Sequence, residues 1–457
     1  MRVLPIALDA DAHPLLSLDA TELAAQIADG AVRSRELVEL ALARIEAHNP
    51  AVQALVHVDA EGARRSADAM DALRAKGHRV GPFHGVPTAV KDLHWMRGAP
   101  MRLGSRAFSW MSWAPFDDMV VRSLRRGGFV LLGKTSTSEL GLLPIVETDL
   151  HPPTRNPWDL TRLAGGSSGG AGAALAAGLV PIAPGSDGAG SIRIPAALNG
   201  MLGLKPSRWL VPDGNDRLDV HRMSTCGPLG RSVDDVAGLL DVMADPRRAA
   251  PGGYLAASKR PTKALNVGVY TEPPFGATDP GLVRCVREAA EALRAAGHSV
   301  TYRERLDGSL EEFIPLYQAF FARLPVLLPG RLQPVSRWFR QRGKALDARK
   351  IAEQFESLAA RARASLDGVD VLLTPATACL APAVGSFAAL EPEALFHAIA
   401  PLGAFTAAAN LSGYPALAVP FGRVGVLPGA VQLVARPGED GRLLALARTL
   451  LGEALAG

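Results

Sequence analysis

The sequence predicts an α/β protein, a sandwich in which helices cover a large mixed sheet. Three observations carry that expectation. Short apolar runs alternate with helical segments along most of the 457 residues. No segment repeats with a fixed period, and no shift of composition marks a linker. Hydrophobic residues make up 48% and charged residues 21%, the balance of a packed core under a polar shell. Length alone would allow about three domains. The unbroken alternation points instead to one domain over residues 1–457.

The first 75 residues read as an outer helical layer. Asp19 and Glu22 have capping-box spacing, and Leu23 and Ile27 follow on one face. Ser34 opens a second helix with Val38, Leu42 and Ile45 at helical spacing, closed at Asn49-Pro50. From 81 to 245 the texture changes to short apolar runs punctuated by glycine. Val86–Val90, Val130–Leu132 and Val180–Ala183 read as strands, and Ala171–Ala177 as a small-residue helix. Leu265–Tyr270 is a strand, Asp279-Pro280 caps a helix that stops at Gly297, and Val300–Tyr302 is the next strand. Residues 310–350 mix aromatics, prolines and arginines. Val369–Leu373, Ala416–Pro420 and Val431–Val434 complete the strands, and Arg442–Leu451 is a closing helix.

A formal charge of +4 is small for this length, and no basic run carries interleaved aromatics, so nucleic acid is not an expected partner. Cys226, Cys285 and Cys379 are too few and too scattered for a disulfide framework or a CxxC metal pair. Residues 1–16 make a poor signal peptide, and no run reaches about 18 apolar residues, so the expected location is the cytoplasm, off the membrane. Only 8 of the 49 basic residues are lysines. A lysine in an apolar run is therefore conspicuous, and Lys91 ends one.

Two glycine–serine clusters lie about twenty residues apart: Gly165-Gly166-Ser167-Ser168-Gly169-Gly170, and Gly185 to Ser191 followed by Ile192-Arg193. A flexible linker would account for glycine and serine, but not for Asp187 and Arg193 between closely flanking apolar segments. Successive small residues let backbone N–H groups converge on one point, as an oxyanion hole or phosphate cradle requires. Two short patterns compete for the region. Gly128, Gly133, Lys134 and Thr135 fit a phosphate-binding loop, but Phe129–Leu132 between them are bulky and apolar, the makings of a strand. Gly165, Ser167 and Gly169 fit a nucleophile elbow, which would make Ser167 the nucleophile of an esterase. That motif needs a strand before the serine, where 155–162 reads as a loop, and a histidine that no local pattern marks.

The ordered set of longer motifs resembles the amidase signature family. Asn156-Pro157-Trp158-Asp159, the two clusters, Gly190 to Pro195 and Gly203-Leu204-Lys205-Pro206 carry the resemblance. Gly85 to Asp92, Gly133 to Glu139, Gly227-Pro228, Asp370 to Pro375, Asn410 to Gly413 and Gln432-Leu433-Val434 extend it over most of the chain. The resemblance implies a single α/β/α sandwich around a large, mostly parallel, twisted sheet, with 81–245 as the signature core and 310–350 as a variable pocket-lining region. It implies Ser191 as nucleophile, Ser167 as a bridging serine after a cis peptide, and Lys91 as general base. Gly188, Ala189 and Gly190, with Ser191, would supply oxyanion N–H groups, and Ser168, Asp187 and Arg193 would support the loops. No cofactor or metal is implied.

Physics adds a condition: a lysine base must be neutral, although its unperturbed pKa is about 10.4. Burial without an anionic partner meets it. Asp92 is adjacent, but strand alternation would point it to the opposite face. The chain departs from the family at Gly188-Ala189-Gly190, where a larger residue and two glycines are common. A methyl at Ala189 demands ordinary backbone angles there. Asn199 stands where cysteine is common and reads as a packing change.

The expected reaction is hydrolysis of a C–N bond in an uncharged amide, anilide or carbamate through a seryl acyl-enzyme, with esterase activity alongside. Leu140, Gly141, Leu142, Tyr317 and Phe320 are the expected pocket walls, and the partner is a small molecule on a monomer or homodimer. The resemblance also admits the glutaminase component of a tRNA-dependent amidotransferase. The tyrosine-rich stretch of that component has no counterpart at 316–340.

Overall fold

Neighbouring strand residues fall on opposite faces of a sheet, and that alternation sets the layers of this protein. Leu131, Leu417 and Val419 pack into one apolar cluster, while Val130, Leu132 and Ala418 pack into another. Helices Ala20–Asp29, Val233–Met243, Pro280–Ala295 and Asp440–Leu450 close the first cluster. Helices Ser34–Val52, Gly169–Ala176 and Arg193–Asn199 close the second. The computed structural model describes residues 13–214 and 219–452, and the reading of 1–16 falls largely outside them.

The strands are β1 (Leu55–Val58), β2 (Pro87–Lys91), β3 (Val130–Thr135), β4 (Arg155–Asn156), β5 (Asp159–Leu163), β6 (Ile182–Asp187) and β7 (Leu202–Lys205). There follow β8 (Thr225–Gly230), β9 (Asn266–Val269), β10 (Ser299–Tyr302), β11 (Val371–Pro375), β12 (Ala416–Val424) and β13 (Leu427–Ala435). Eight of them form one sheet in the order β10-β9-β11-β13-β12-β7-β8-β6, and β1-β3-β2 form a second. The sheet is mixed, as expected, but the balance is the reverse of mostly parallel. Within the large sheet only β10–β9 and β9–β11 are parallel. The pairings from β11 through to β6 are antiparallel. Helices between strands announce crossovers, but periodicity does not say which strand a returning strand will lie beside.

The N-terminal layer contains a strand that the helical pattern hides: β1 pairs antiparallel with β3. Its helices form for the expected reasons. The Asp19 N–H donates to the Glu22 carboxylate at 2.7 Å, half of a capping box. Helix Ser34–Val52 runs past Asn49-Pro50, with Pro50 inside its last turn. The Asn49 side chain then accepts from the N–H groups of Ala54 and Leu55 at 2.9 and 2.8 Å and steers the chain into β1. β7 and β8 are equally hidden, because Gly203, Gly227 and Pro228 place strands in motifs that look like turns.

Candidate active site

Two strand ends and two helix starts meet at the site. The Thr88 hydroxyl on β2 donates to the Ile182 carbonyl on β6 at 2.7 Å, so the two strands lie side by side. Lys91 is the last residue of β2, and Ser186 and Asp187 end β6. Ser167 precedes helix Gly169–Ala176, and Ser191 precedes helix Arg193–Asn199. The Gly166–Ser167 peptide is cis. The Ser168 N–H donates to the Ser191 carbonyl at 3.2 Å, which joins the two loops. The Ser168 hydroxyl lies 3.3 Å from both the N–H and the carbonyl of Ser186.

The Lys91 Nζ donates to the Ser167 Oγ at 2.7 Å and to the Ser186 Oγ at 2.9 Å. Its side chain is fully buried, and burial pulls its pKa down to about 7, against the weaker opposing influence of Cys226 and Asp187. Asp92 turns to the other face, as alternation requires. It pairs there with Lys134, Nζ to Oδ1 at 3.1 Å, and accepts from the Arg102 N–H. Lys134 also donates to the carbonyls of His94 and Pro100, so the lysine of the phosphate-loop pattern is spent inside the core. Lys205 is buried too, with its pKa lowered to about 7 by burial and by Arg193. Its Nζ donates to the Pro206 carbonyl. Contact with the serine, not desolvation, therefore sets Lys91 apart.

Residues 155–162, read as a loop, contain the β4–β5 ribbon. Asn156 makes its turn, accepting from the Trp158 N–H at 2.9 Å and donating to the Leu198 carbonyl at 2.8 Å. A short strand thus does stand ahead of Ser167, so the elbow pattern cannot be dismissed on that ground. It fails on another: the Ser167 Oγ is held by a lysine, and among the described residues no histidine bonds either Ser167 or Ser191.

Asp187 and Arg193 shape the loop that carries Ser191. The guanidinium meets the carboxylate twice, Nε to Oδ2 and Nη2 to Oδ1, each at 2.9 Å, and both side chains are fully buried. Burial alone would raise the Asp187 pKa; Arg193 overrides it and holds the carboxyl at about 2. The same carboxylate accepts the Gly190 N–H at 2.6 Å and the Ile192 N–H at 3.2 Å. This corrects one expectation. The Gly190 N–H belongs to Asp187 and cannot also serve an oxyanion. Among the described residues, the N–H groups of Gly188, Ala189 and Ser191 have no such partner. Ala189 keeps ordinary backbone angles, so its methyl is accommodated, and its carbonyl accepts the Thr406 hydroxyl at 2.6 Å.

Gly190, with φ 128°, is the residue that the loop cannot exchange. A Cβ there would lie 2.2 Å from the Thr406 Oγ1. Gly190→Ala is expected to lower kcat/KM at least about a hundredfold by displacing the loop, as steady-state kinetics would show. Asn199 is more than packing. Its Nδ2 donates to the carbonyls of Ala164 and Pro195, each at 2.7 Å, and so ties the Ser167 loop to helix Arg193–Asn199.

Two cavities flank the serines. One, of about 570 Å³, reaches Ser167, Ser186 and Gly188 and is walled by Leu140, Gly141, Tyr317 and Phe320. The other, of about 90 Å³, reaches Ser191 and Ala189 and is walled by Leu142, Phe313 and Tyr317. The five pocket residues expected from sequence thus line one cavity or the other, and Tyr317 lines both. Trp338 and Phe339 instead pack behind them, Phe339 against Phe396 at 4.8 Å. Ser186, Thr406 and Asn410 escape sequence reasoning as functional groups. Ser186 and Asn410 lie inside recognisable motifs, but only the folded chain shows what they touch.

No helix among the described residues is long and apolar enough to cross a membrane. Residues 36–444 match the Amidase family. The acylamidase of Rhodococcus erythropolis is 38% identical over 291 residues, 62% of this chain and 61% of that protein. The 6-aminohexanoate-cyclic-dimer hydrolase of a Pseudomonas species is 34% identical, over 95% of this chain and 94% of its own. A solved structure of 6-aminohexanoate cyclic dimer hydrolase superposes with a TM-score of 0.86 at 32% identity, covering 96% of this chain and 97% of that one. A glutamyl-tRNA(Gln) amidotransferase component from Salinispora arenicola is 32% identical, over 95% of this chain and 97% of that protein. With the match running through both serine loops and the strand of Lys91, the chain belongs to the amidase family of C–N hydrolases.

Proposed function

We propose that the protein hydrolyses uncharged, largely apolar amides, anilides or carbamates through an acyl-enzyme on Ser191. The observation that carries this reading is the buried Lys91 amine on the Ser167 hydroxyl, with no carboxylate among the described residues paired to it. A neutral amine there can take a proton from Ser167 as Ser167 takes one from Ser191. Among the described residues no hydrogen bond joins the two serine hydroxyls or occupies the Ser191 Oγ, which leaves that oxygen turned toward substrate. Such contacts tighten when substrate is bound.

The Ser191 Oγ then attacks the carbonyl carbon, and the carbonyl oxygen takes the charge beside the free N–H groups of Gly188, Ala189 and Ser191. The proton held on Lys91 returns through Ser167 to the leaving nitrogen. Water enters, gives its proton to the same relay, and releases the acid. A carbamate would yield amine, alcohol and carbon dioxide, whichever bond to its carbonyl breaks first. An ester asks less of the site, since its leaving oxygen needs little protonation, so esterase activity accompanies the amidase activity.

The pH profile tests the base. Lys91 is protonated, and inactive as a base, below about 7. Activity is therefore expected to rise with pH through about 7 and then level off, for anilides, esters and carbamates alike. A kcat/KM that falls over that interval would remove Lys91 from the role. The same panel ranks the substrate classes. The family resemblance keeps a second reading, release of ammonia from glutamine for an amidotransferase. Both cavities are walled mostly by apolar side chains, which favours the first. The charged amine and carboxylate of glutamine would have to find partners among a few charged groups, Asp307 and Arg361 in the smaller cavity and Asp118, Arg122, Asp213 and Asp219 in the larger. Ammonia release from glutamine exceeding the anilide rates would reverse the choice.

A further inference from the structure

We propose that the Tyr317 hydroxyl is a side-chain member of the oxyanion hole, donating a hydrogen bond to the substrate carbonyl oxygen beside the N–H groups of Gly188 and Ala189. The inference rests on the acyl-enzyme reading and adds a catalytic residue to it.

The starting point is a buried ring whose hydroxyl opens on the two cavities and bonds no side chain or backbone group of the described residues. Tyr317 is 7% exposed, and among the described residues its hydroxyl has no hydrogen-bond partner. The ring is well accounted for. It packs against Phe313, Phe321 and Phe339 at centroid distances of 5.1, 5.4 and 6.3 Å. Phenylalanine would make those contacts equally well, so ring packing does not account for the oxygen. The hydroxyl therefore needs a separate explanation, and its position supplies one.

A Cβ built on Gly188 would find one neighbouring atom within 4 Å, the Tyr317 Oη at 3.4 Å. The phenol oxygen thus lies over the start of the nucleophile loop. It fills space that a side chain at 188 would reach, on the wall shared by the cavity of Ser167 and the cavity of Ser191. Asp187 has withdrawn the Gly190 N–H from the set of donors. A phenol at this point restores the number, and no atom of the described residues competes for its proton. Burial, with the negative charge of Asp187 nearby, raises the Tyr317 pKa, so the group stays a protonated donor throughout the working range.

A donor aimed at the oxyanion gains strength as charge develops, so it acts on kcat more than on KM. Tyr317→Phe is expected to lower kcat roughly 10- to 100-fold, with KM within about twofold. The factor should be the same for an anilide, an ester and a carbamate that share one acyl group, since all three present the same carbonyl oxygen. Affinity for a trifluoromethyl ketone, which adds to Ser191 as an anionic tetrahedral adduct, should drop by that factor too. The melting temperature should match or exceed the parent's, because no protein contact of the hydroxyl is lost.

Unchanged kcat, a loss confined to KM, a loss confined to carbamates, or a lower melting temperature would each overturn the assignment. Fluorophosphonate labelling of the parent keeps the two levels apart. If Ser191 is labelled and Tyr317→Phe turns over normally, only the role of the hydroxyl falls. If Ser191 is not labelled, the acyl-enzyme falls with it.

Discussion

Ser191→Ala is expected to lower kcat at least about a thousandfold on every substrate and to abolish labelling by a fluorophosphonate, while the melting temperature stays close to the parent's. Among the described residues the Ser191 hydroxyl has no hydrogen-bond partner, so its loss costs the fold little. On the proposed mechanism its loss does remove the atom that bonds to the acyl group. Lys91→Met should approach the same loss for a different reason. The thioether fills the volume of the amine but can neither take the Ser167 proton nor donate to Ser167 and Ser186, whose bonds to Nζ measure 2.7 and 2.9 Å. Because the proposed mechanism places the two residues in one proton path, the double variant should be little worse than either alone. Full additivity, measured by kcat on an anilide, would mean that Lys91 and Ser191 serve separate steps. A fully active Ser191→Ala enzyme would remove the nucleophile altogether.

What the sequence made legible follows from how each feature is encoded. The serine loops announce themselves because backbone convergence requires runs of small residues, and small residues in runs are rare between apolar segments. The opposite facing of Lys91 and Asp92 was legible for a simpler reason: alternation along an extended strand is a local rule, and β2 is extended. Three things were not local. The direction in which β11, β13, β12, β7 and β8 run against one another depends on where each connection returns. The capture of the Gly190 N–H by Asp187 depends on the exact path of four residues, and a motif read as N–H donors cannot show which donors are already taken. Apart from Asp187, the partners of Arg193 come from 406, 410 and 432, more than two hundred positions away, and no spacing links them. β1, β7 and β8 were lost for want of length or for their glycines, since a four-residue strand shows at most two turns of the alternation that would reveal it.

Arg193→Met is expected to cost about 3–5 kcal/mol of stability, the range for breaking a buried ion pair by removing one partner. All five guanidinium hydrogens are committed. Nε goes to Asp187, Nη1 to the Thr406 carbonyl and the Gln432 Oε1 at 2.9 and 2.6 Å, and Nη2 to Asp187 and the Asn410 Oδ1 at 2.9 and 2.6 Å. Lysine has three donors and no fork, so Arg193→Lys should recover only a fraction. The dominant penalty falls on Asp187, left in a fully buried site without its counter-charge, where it either stays an unpaired anion or must take up a proton. Its carboxyl stays charged only because the arginine outweighs the burial. The stability that this pair provides is accordingly present above the ordinary aspartate pKa of about 3.9 and lost as the pH falls toward 2. Removing both charges separates fold from function. Asp187→Leu with Arg193→Met removes the stranded carboxyl and should regain much of the lost stability in urea denaturation. It should not regain activity, because the carboxylate that holds the N–H groups of Gly190 and Ile192 is gone and the loop before Ser191 loses its shape. A double variant that recovers both would show that the pair holds the fold and leaves the nucleophile loop alone.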